Sequence, residues 1–319
     1  MDVQIKVILR VLGMLSIALM VSCSANQSRQ STKGSGITLG SDFGVLVMAH
    51  GSSSEWNKGV EESLHSLRES FPVELAFGMA DAGSMESAVR RLEAQGVRHA
   101  AVVRLFISGE SWYERTLQIL GVSDGAPPKS ESNYLSLNPG MPIGYWKIET
   151  DVAFHVNKEG LAEAEEMDKV LLSRVRDMSF NPSSEVVAVI AHGPEDDEEN
   201  SRWIAEIEKR TTLLEHQLGI KEIEVFTLRE DWEVKRVGAE GKIRGFIERA
   251  NQSNLQAIVV PYRVQGFGPY DSVLEGLEYK ADRAGLVPHE NVSLWIEGQV
   301  KELLWEVEEH RIQIAATSD

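Results

Sequence analysis

Short unbroken apolar runs alternate along the chain with longer stretches in which apolar positions recur every three or four residues. The first run, Val45-Leu46-Val47-Met48-Ala49-His50-Gly51, is too short for a free helix and is closed by glycine, as expected of a parallel strand buried on both faces. A second run of the same form, Val186 to Gly193, also ends in Ala-His-Gly. Beyond the first run the pattern predicts a helix over 56–70, a strand over 73–78, an amphipathic helix over 84–95 stopped by Gly96, and a strand over 100–107. Beyond the second it predicts a helix over 195–218 stopped by Gly219, a strand over 223–228, a helix over 237–251 and a strand over 257–264. The first unit continues with a helix at 112–120, a Pro/Gly/Ser-rich stretch at 121–142, a strand at 145–154 and a helix at 161–178. The second continues with a helix at 271–284, a strand at 292–296 and a helix at 299–310.

Strands alternating with helices give parallel sheets joined by right-handed crossovers. Asn181-Pro182-Ser183-Ser184 divides the two units. The expected fold is α/β, with two tandem doubly wound parallel-sheet lobes, 43–180 and 181–312, in a pseudo-two-fold repeat followed by a tail at 313–319. Any doubly wound protein shows βαβ runs, but Ala-His-Gly at the same strand end in both units marks a true repeat. It brings a histidine to the carboxyl end of a buried strand, where open α/β sheets bind their ligands.

The amino terminus follows a different pattern. Lys6 and Arg10 precede an apolar run from Val11 to Val21, about half the ~20 residues a membrane-spanning helix needs, and so read as a secretion signal. Met20-Val21-Ser22-Cys23 resembles a bacterial lipobox, with Met20 in place of the usual Leu. The expectation is a signal peptide over 1–22, lipidation at Cys23 and a flexible polar tether over 23–42, giving an extracytoplasmic protein lipid-anchored to a bacterial membrane, at its periplasmic face or the cell surface. Cys23 is the only cysteine, so no intrachain disulfide is available.

Removing residues 1–22 takes away Lys6, Arg10 and Asp2 and moves the net charge from −17 to −18. So acidic a surface disfavours nucleic acid as a partner. No Gly-rich phosphate loop, no Gly-x-Gly-x-x-Gly after a strand and no Cys-x-x-Cys occurs, so no nucleotide is expected. Gly121-Val122-Ser123-Asp124-Gly125 has the Gly-x-Ser-x-Gly spacing but follows a predicted helix instead of joining a strand to one, which argues against a hydrolase nucleophile.

Val45 to Gly51 with Ser52-Ser53-Ser54, then Val73 to Phe77, Ser84 to Gly96 and Val97 to Ser108, resemble in order the opening elements of the sirohydrochlorin cobaltochelatases. Val186 to Gly193 and Val259-Val260-Pro261-Tyr262 resemble the same elements in the second half of the two-lobed class II tetrapyrrole chelatases, ferrochelatase included. The resemblance spans roughly residues 43 to 310. It implies insertion of a divalent metal (Co, Ni or Fe) into a tetrapyrrole, with a strand-end histidine as metal ligand and proton acceptor, a role that suits a neutral imidazole. His50 and His192 match that position, and the two-lobed ferrochelatases favour His192.

The second histidine that the cobaltochelatases carry after the third strand is missing: Ser108-Gly109-Glu110-Ser111-Trp112-Tyr113-Glu114 stands there, and Gln265-Gly266-Phe267-Gly268-Pro269-Tyr270-Asp271 in the second lobe. Glu110, Glu114, Asp271 and Glu275 are the substitute ligands or proton acceptors, Glu275 at the place of a ferrochelatase carboxylate, and each is equally readable as a solvated acid in a chain with 49 acidic residues. Trp112, Tyr113, Phe267 and Tyr270 are placed to stack on a planar macrocycle or to pack a loop over the sheet. The sequence leaves three functions open: a sirohydrochlorin-type metal chelatase, an exported lipoprotein that keeps the scaffold to bind haem, a corrinoid precursor or a metal without turnover, or a structural lipoprotein that uses the scaffold for protein contacts.

Overall fold

The two runs that end in Ala-His-Gly are inner strands of two separate parallel sheets. The computed structural model describes residues 42–130, 134–138 and 141–317. The leader and Cys23 lie outside these residues. Among the described residues, no helix is long and apolar enough to cross a membrane.

The first lobe runs β1 (Phe43–Ala49), α1 (Ser54–Glu62), α2 (His65–Ser70), β2 (Val73–Phe77), α3 (Ala82–Ala94), β3 (His99–Leu105) and α4 (Tyr113–Ile119). An antiparallel pair, β4 (Tyr134–Asn138) and β5 (Met141–Gly144), precedes β6 (Ala153–Val156) and α5 (Glu166–Met178). The second lobe runs β7 (Glu185–Ala191), α6 (Asp197–Leu218), β8 (Glu222–Thr227), α7 (Glu233–Gln252), β9 (Gln256–Tyr262), α8 (Tyr270–Val273), β10 (Lys280–Ala281) and α9 (Glu290–Thr317). The sheet orders are β2-β1-β3-β6 and β8-β7-β9-β10, one topology written twice. The registers coincide as well. Ala49 pairs with Phe77 and Leu105, and Ala191 pairs with Thr227 and Tyr262.

Period-two alternation sends the side chains of each inner strand to two cores. Phe43, Val45, Val47 and Ala49 from β1, and Val187, Val189 and Ala191 from β7, share one core with α5, α6 and α9. Leu46 and Met48 face α3 in a second core, and Val186, Ala188 and Ile190 face α7 in a third. These strand side chains are fully or almost fully buried, each side chain of Val or Leu size worth ~1.5–3 kcal/mol relative to exposure.

The lobes exchange their last helices. α5, at the end of the first lobe, packs on α6 and touches β9, while α9, at the end of the second, packs on α5 and on β3. Polar ties follow the exchange. Arg311 of α9 reaches both carboxylate oxygens of Asp42 at 2.9 Å, Arg210 of α6 meets Asp168 of α5 at 3.0 Å, and the Tyr262 hydroxyl donates to the Leu161 carbonyl at 2.8 Å.

The fourth strand of each sheet differs from the sequence expectation. The apolar residues at 292–296 belong to a helix: Val292, Trp295, Ile296, Gln299, Val300, Leu303 and Val307 are buried at helical spacing, and α9 runs on through 313–317. The real edge strand is the two-residue β10. The helix expected over 271–284 stops after one turn at α8, and Gly276 just beyond it has a φ of 82°. In the first lobe β6 begins only at Ala153. Trp146 and Ile148, read as strand, are buried in an extended segment whose Ile148 N–H donates to Ile119 O at 2.8 Å.

Candidate functional site

His50 and His192 leave their sheets through the same turn. Gly51 and Gly193 follow with φ of 77° and 79°. A Cβ on Gly51 would come within 2.8 Å of Phe77 Cβ, and one on Gly193 within 2.6 Å of Thr227 Cβ, so only glycine fits the turn. In both lobes the imidazole Nδ1 stands 2.8 Å from the carbonyl oxygen of that glycine. A carbonyl only accepts, so Nδ1 carries the ring proton and Nε2 is left, in the neutral ring, with its lone pair outward. This is the tautomer a metal-ligating histidine needs.

What Nε2 meets differs between the lobes. His50 is exposed. His192 is 30% exposed, its Nε2 lying 3.1 Å from Asp231 Oδ2 and 4.0 Å from Glu230 Oε2. The Trp232 ring meets its imidazole edge-on at 5.9 Å. Glu230 is held from the other side by Arg263, whose guanidinium also lies over the Tyr270 ring. The shared register puts Ala80 and Asp81 at the places of Glu230 and Asp231. Ala80 has no charge, and Asp81 is used structurally: it caps α3 through Ser84 N at 2.7 Å and takes Gly144 N at 2.6 Å. Among the described residues, the second lobe alone therefore sets its histidine against an acid pair. The sequence reading did not name Glu230 and Asp231; their one signal was position, immediately beyond the second strand of the repeat.

One imidazole and two carboxylates form a mixed N/O donor set for a divalent transition metal. As they stand, Nε2 and Oδ2 touch each other. Among the described residues, no three His, Cys, Asp or Glu side chains are arranged to hold an ion without adjustment.

The other residues singled out from sequence are dispersed. Glu110 is engaged by Arg202 of α6 in a two-pronged ion pair at 2.7 and 3.1 Å, which holds its carboxylate below the usual range. Glu114 is exposed on α4, and Asp271 is bound by Arg283 and Tyr279. Glu275 lies exposed on the turn after α8, its carbonyl accepting from Arg244 of α7 at 3.1 Å; no contact joins it to His192. Trp112 is half-buried at the start of α4 with φ of 58°. Tyr270 is not available for stacking. It is fully buried, with its hydroxyl donating to Ile190 O at 3.0 Å, and Phe267 beside it is buried too.

The loops beyond the third strands clasp the opposite lobe. Glu110, after β3, pairs with Arg202 of α6, and Gln265, after β9, accepts at its carbonyl from Trp56 Nε1 of α1 at 3.2 Å. The first loop is braced from beneath by Arg104, buried in β3. It donates to the carbonyls of Ser111, Gly109 and Lys158 at 2.7, 2.6 and 2.9 Å, and burial pushes its pKa down to about 10. Two cavities of about 360 and 280 Å³ lie elsewhere, and neither is lined by His50 or His192.

Residues 44–118 match the CbiX family. No curated protein matches the chain in sequence. Two structures of SirB from Bacillus subtilis share the fold. The one with Fe3+ is 16% identical, with a TM-score of 0.59 over 84% of this chain and 98% of its own. The other, from subspecies spizizenii and described as a sirohydrochlorin chelatase in complex with cobalt, is 15% identical, with a TM-score of 0.55 over 84% and 97%. A multi-domain protein from Deinococcus radiodurans, described as structurally similar to chelatases with two additional novel domains, is 16% identical with a TM-score of 0.50 over 82% of this chain, which spans 55% of its length. Residues 44–118 thus match the CbiX family, and the two-lobed body built around them shares the fold of the SirB structures.

Proposed function

We propose that this body binds a divalent transition metal through Nε2 of His192, with Asp231 and Glu230 as the adjoining carboxylates, and presents it to a tetrapyrrole at the carboxyl edge of the sheets. The observation that carries the reading is the pairing of a histidine oriented through Nδ1 with an acid pair, in one lobe only among the described residues. In such a site the metal is substrate. The carboxylates lower its charge cost on entry, and Nε2 or Asp231 accepts a proton released by the macrocycle.

A binding role without turnover is the second reading. It rests on the loop after β3, where Glu110 is tied to Arg202 instead of offering a second ligand to His50. Absorption spectroscopy separates the two. The body is mixed with sirohydrochlorin or a porphyrin and with Co, Ni or Fe ions. Conversion to the metallated spectrum, absent in His192→Ala, supports insertion; a band shift that needs no metal supports binding only, and no spectral change sinks both.

The extracytoplasmic, membrane-anchored location is likewise proposed, from the apolar leader and Met20 to Cys23. Labelled fatty acid should enter the full chain and not Cys23→Ala. Equal labelling of both would remove the anchor.

A further inference from the structure

At the amino end of the first sheet, opposite the end that carries His50, Nδ1 of His99 lies 3.2 Å from Nε2 of His155. His99 opens β3 and His155 lies on β6. The register sets His99 beside Ala153 and Ala101 beside His155, so both rings stand on the face of the sheet that includes Ala101 and Val103 in the shared core, where α9 packs. The ring planes are 24° apart and the centroids 5.5 Å apart. With those nitrogens 3.2 Å apart, the centroids are as far from one another as they can be. The two nitrogens therefore point at each other along the line joining the rings. Two ligands on one metal would converge at an angle and bring the rings closer, so this is an N–H···N hydrogen bond with room for one proton.

The surroundings set what happens when protons are added. Asp42, just before β1, has both carboxylate oxygens on Arg311 of α9 at 2.9 Å, and Glu308 of α9 takes the same guanidinium at 3.0 Å. Arg98 and Asp151, 4.0 Å apart, flank the starts of β3 and β6 at the exposed rim. Asp42 and Glu308 favour a charge on His99, while Arg311 opposes one on either ring. One extra proton leaves the N–H···N bond intact. A second sets N–H against N–H and places two cations beside Arg311.

We infer that His99 and His155 form a shared-proton latch that, beside the Asp42–Arg311 pair, keeps the Val307–Arg311 turn of α9 on the first sheet at neutral pH and releases it in acid. Burial and then Arg311 hold His99 below its ordinary pKa; burial, His99 and Arg311 do the same for His155. Both native values thus lie below the unfolded value of about 6.5, and the unfolded chain binds more protons as the pH falls past it. The latch's stabilisation is full above about pH 6.5 and is lost as the pH falls through the native values. The two steps belong to the pair and not to either ring.

Hydrogen exchange of the full chain at about pH 7.5 and about pH 5, corrected for the intrinsic chemical rate, tests this directly. Residues 307–311 should lose protection in acid while β1 and β7 keep theirs, and His155→Asn should show a shallower loss. A parent protein whose 307–311 segment exchanges alike at both pH values overturns the latch. Since a variant can fail to fold, an NMR titration of the parent imidazoles gives a second reading. Two coupled steps shifted to low pH are expected, and two independent steps near the ordinary value would sink the proposal.

Discussion

At the scale of single residues, the two strand-end histidines share a backbone device and differ in their neighbours. The glycine turn and the Nδ1 to carbonyl contact orient both rings, but only His192 finds Asp231 and Glu230. His192→Ala should therefore remove Co or Zn binding in a calorimetric titration, and His50→Ala should keep it. Asp231→Asn keeps the shape and loses a charge that also orients the ring, so affinity should fall ~10 to 100-fold. Equal binding by all three variants would mean that neither histidine is a ligand. Both histidines were legible in the sequence because a repeated strand end is a pattern. Glu230 and Asp231 were not, since an acidic dipeptide carries no signal among 49 acids until the register shows which histidine it faces. Tyr270 shows the converse: its place after a third strand suggested a macrocycle platform, but its burial makes it a core residue that ties the loop to β7.

At the scale of elements, α7 begins with a weakly packed stretch immediately after the site. Val234 and Val237 are 92% and 68% exposed, and a Cβ on Gly238 or Gly241 would meet nothing within 4 Å. Glycine in an exposed helix interior costs about 1 kcal/mol relative to alanine, with no compensating contact here. Gly238→Ala and Gly241→Ala should each raise stability by about that amount, or ~2–4 °C in Tm, in a thermal melt. No gain, or a loss, would mean that these turns are not helical in solution. The strands β1, β7, β3 and β9 were the most legible elements because burial on both faces forces an unbroken apolar run. The fourth strands were not. β10 is two residues long, too short to leave a pattern, and Val292 to Ile296 mimic a strand until their spacing is followed into the rest of α9.

At the scale of the molecule, the repeat describes two sheets, but the helix layers do not respect it. α5 serves the second lobe and α9 the first, a partnership that periodicity cannot show because it fixes which face of a helix is apolar and not what covers it. Residues 43–180 and 181–319, made separately, should each be poorly soluble, and should recover a cooperative melt only when co-expressed. Two soluble halves with independent melts would contradict the exchange. The same feature governs the order in which the chain can be completed during synthesis. β3 is finished at Leu105, yet the helix that covers its inner face begins at Glu290, so the first half to leave the ribosome waits with an apolar sheet face open. A premature stop codon near the end of the gene would then be felt first in the oldest part of the chain, and late truncations should bring on aggregation as readily as early ones.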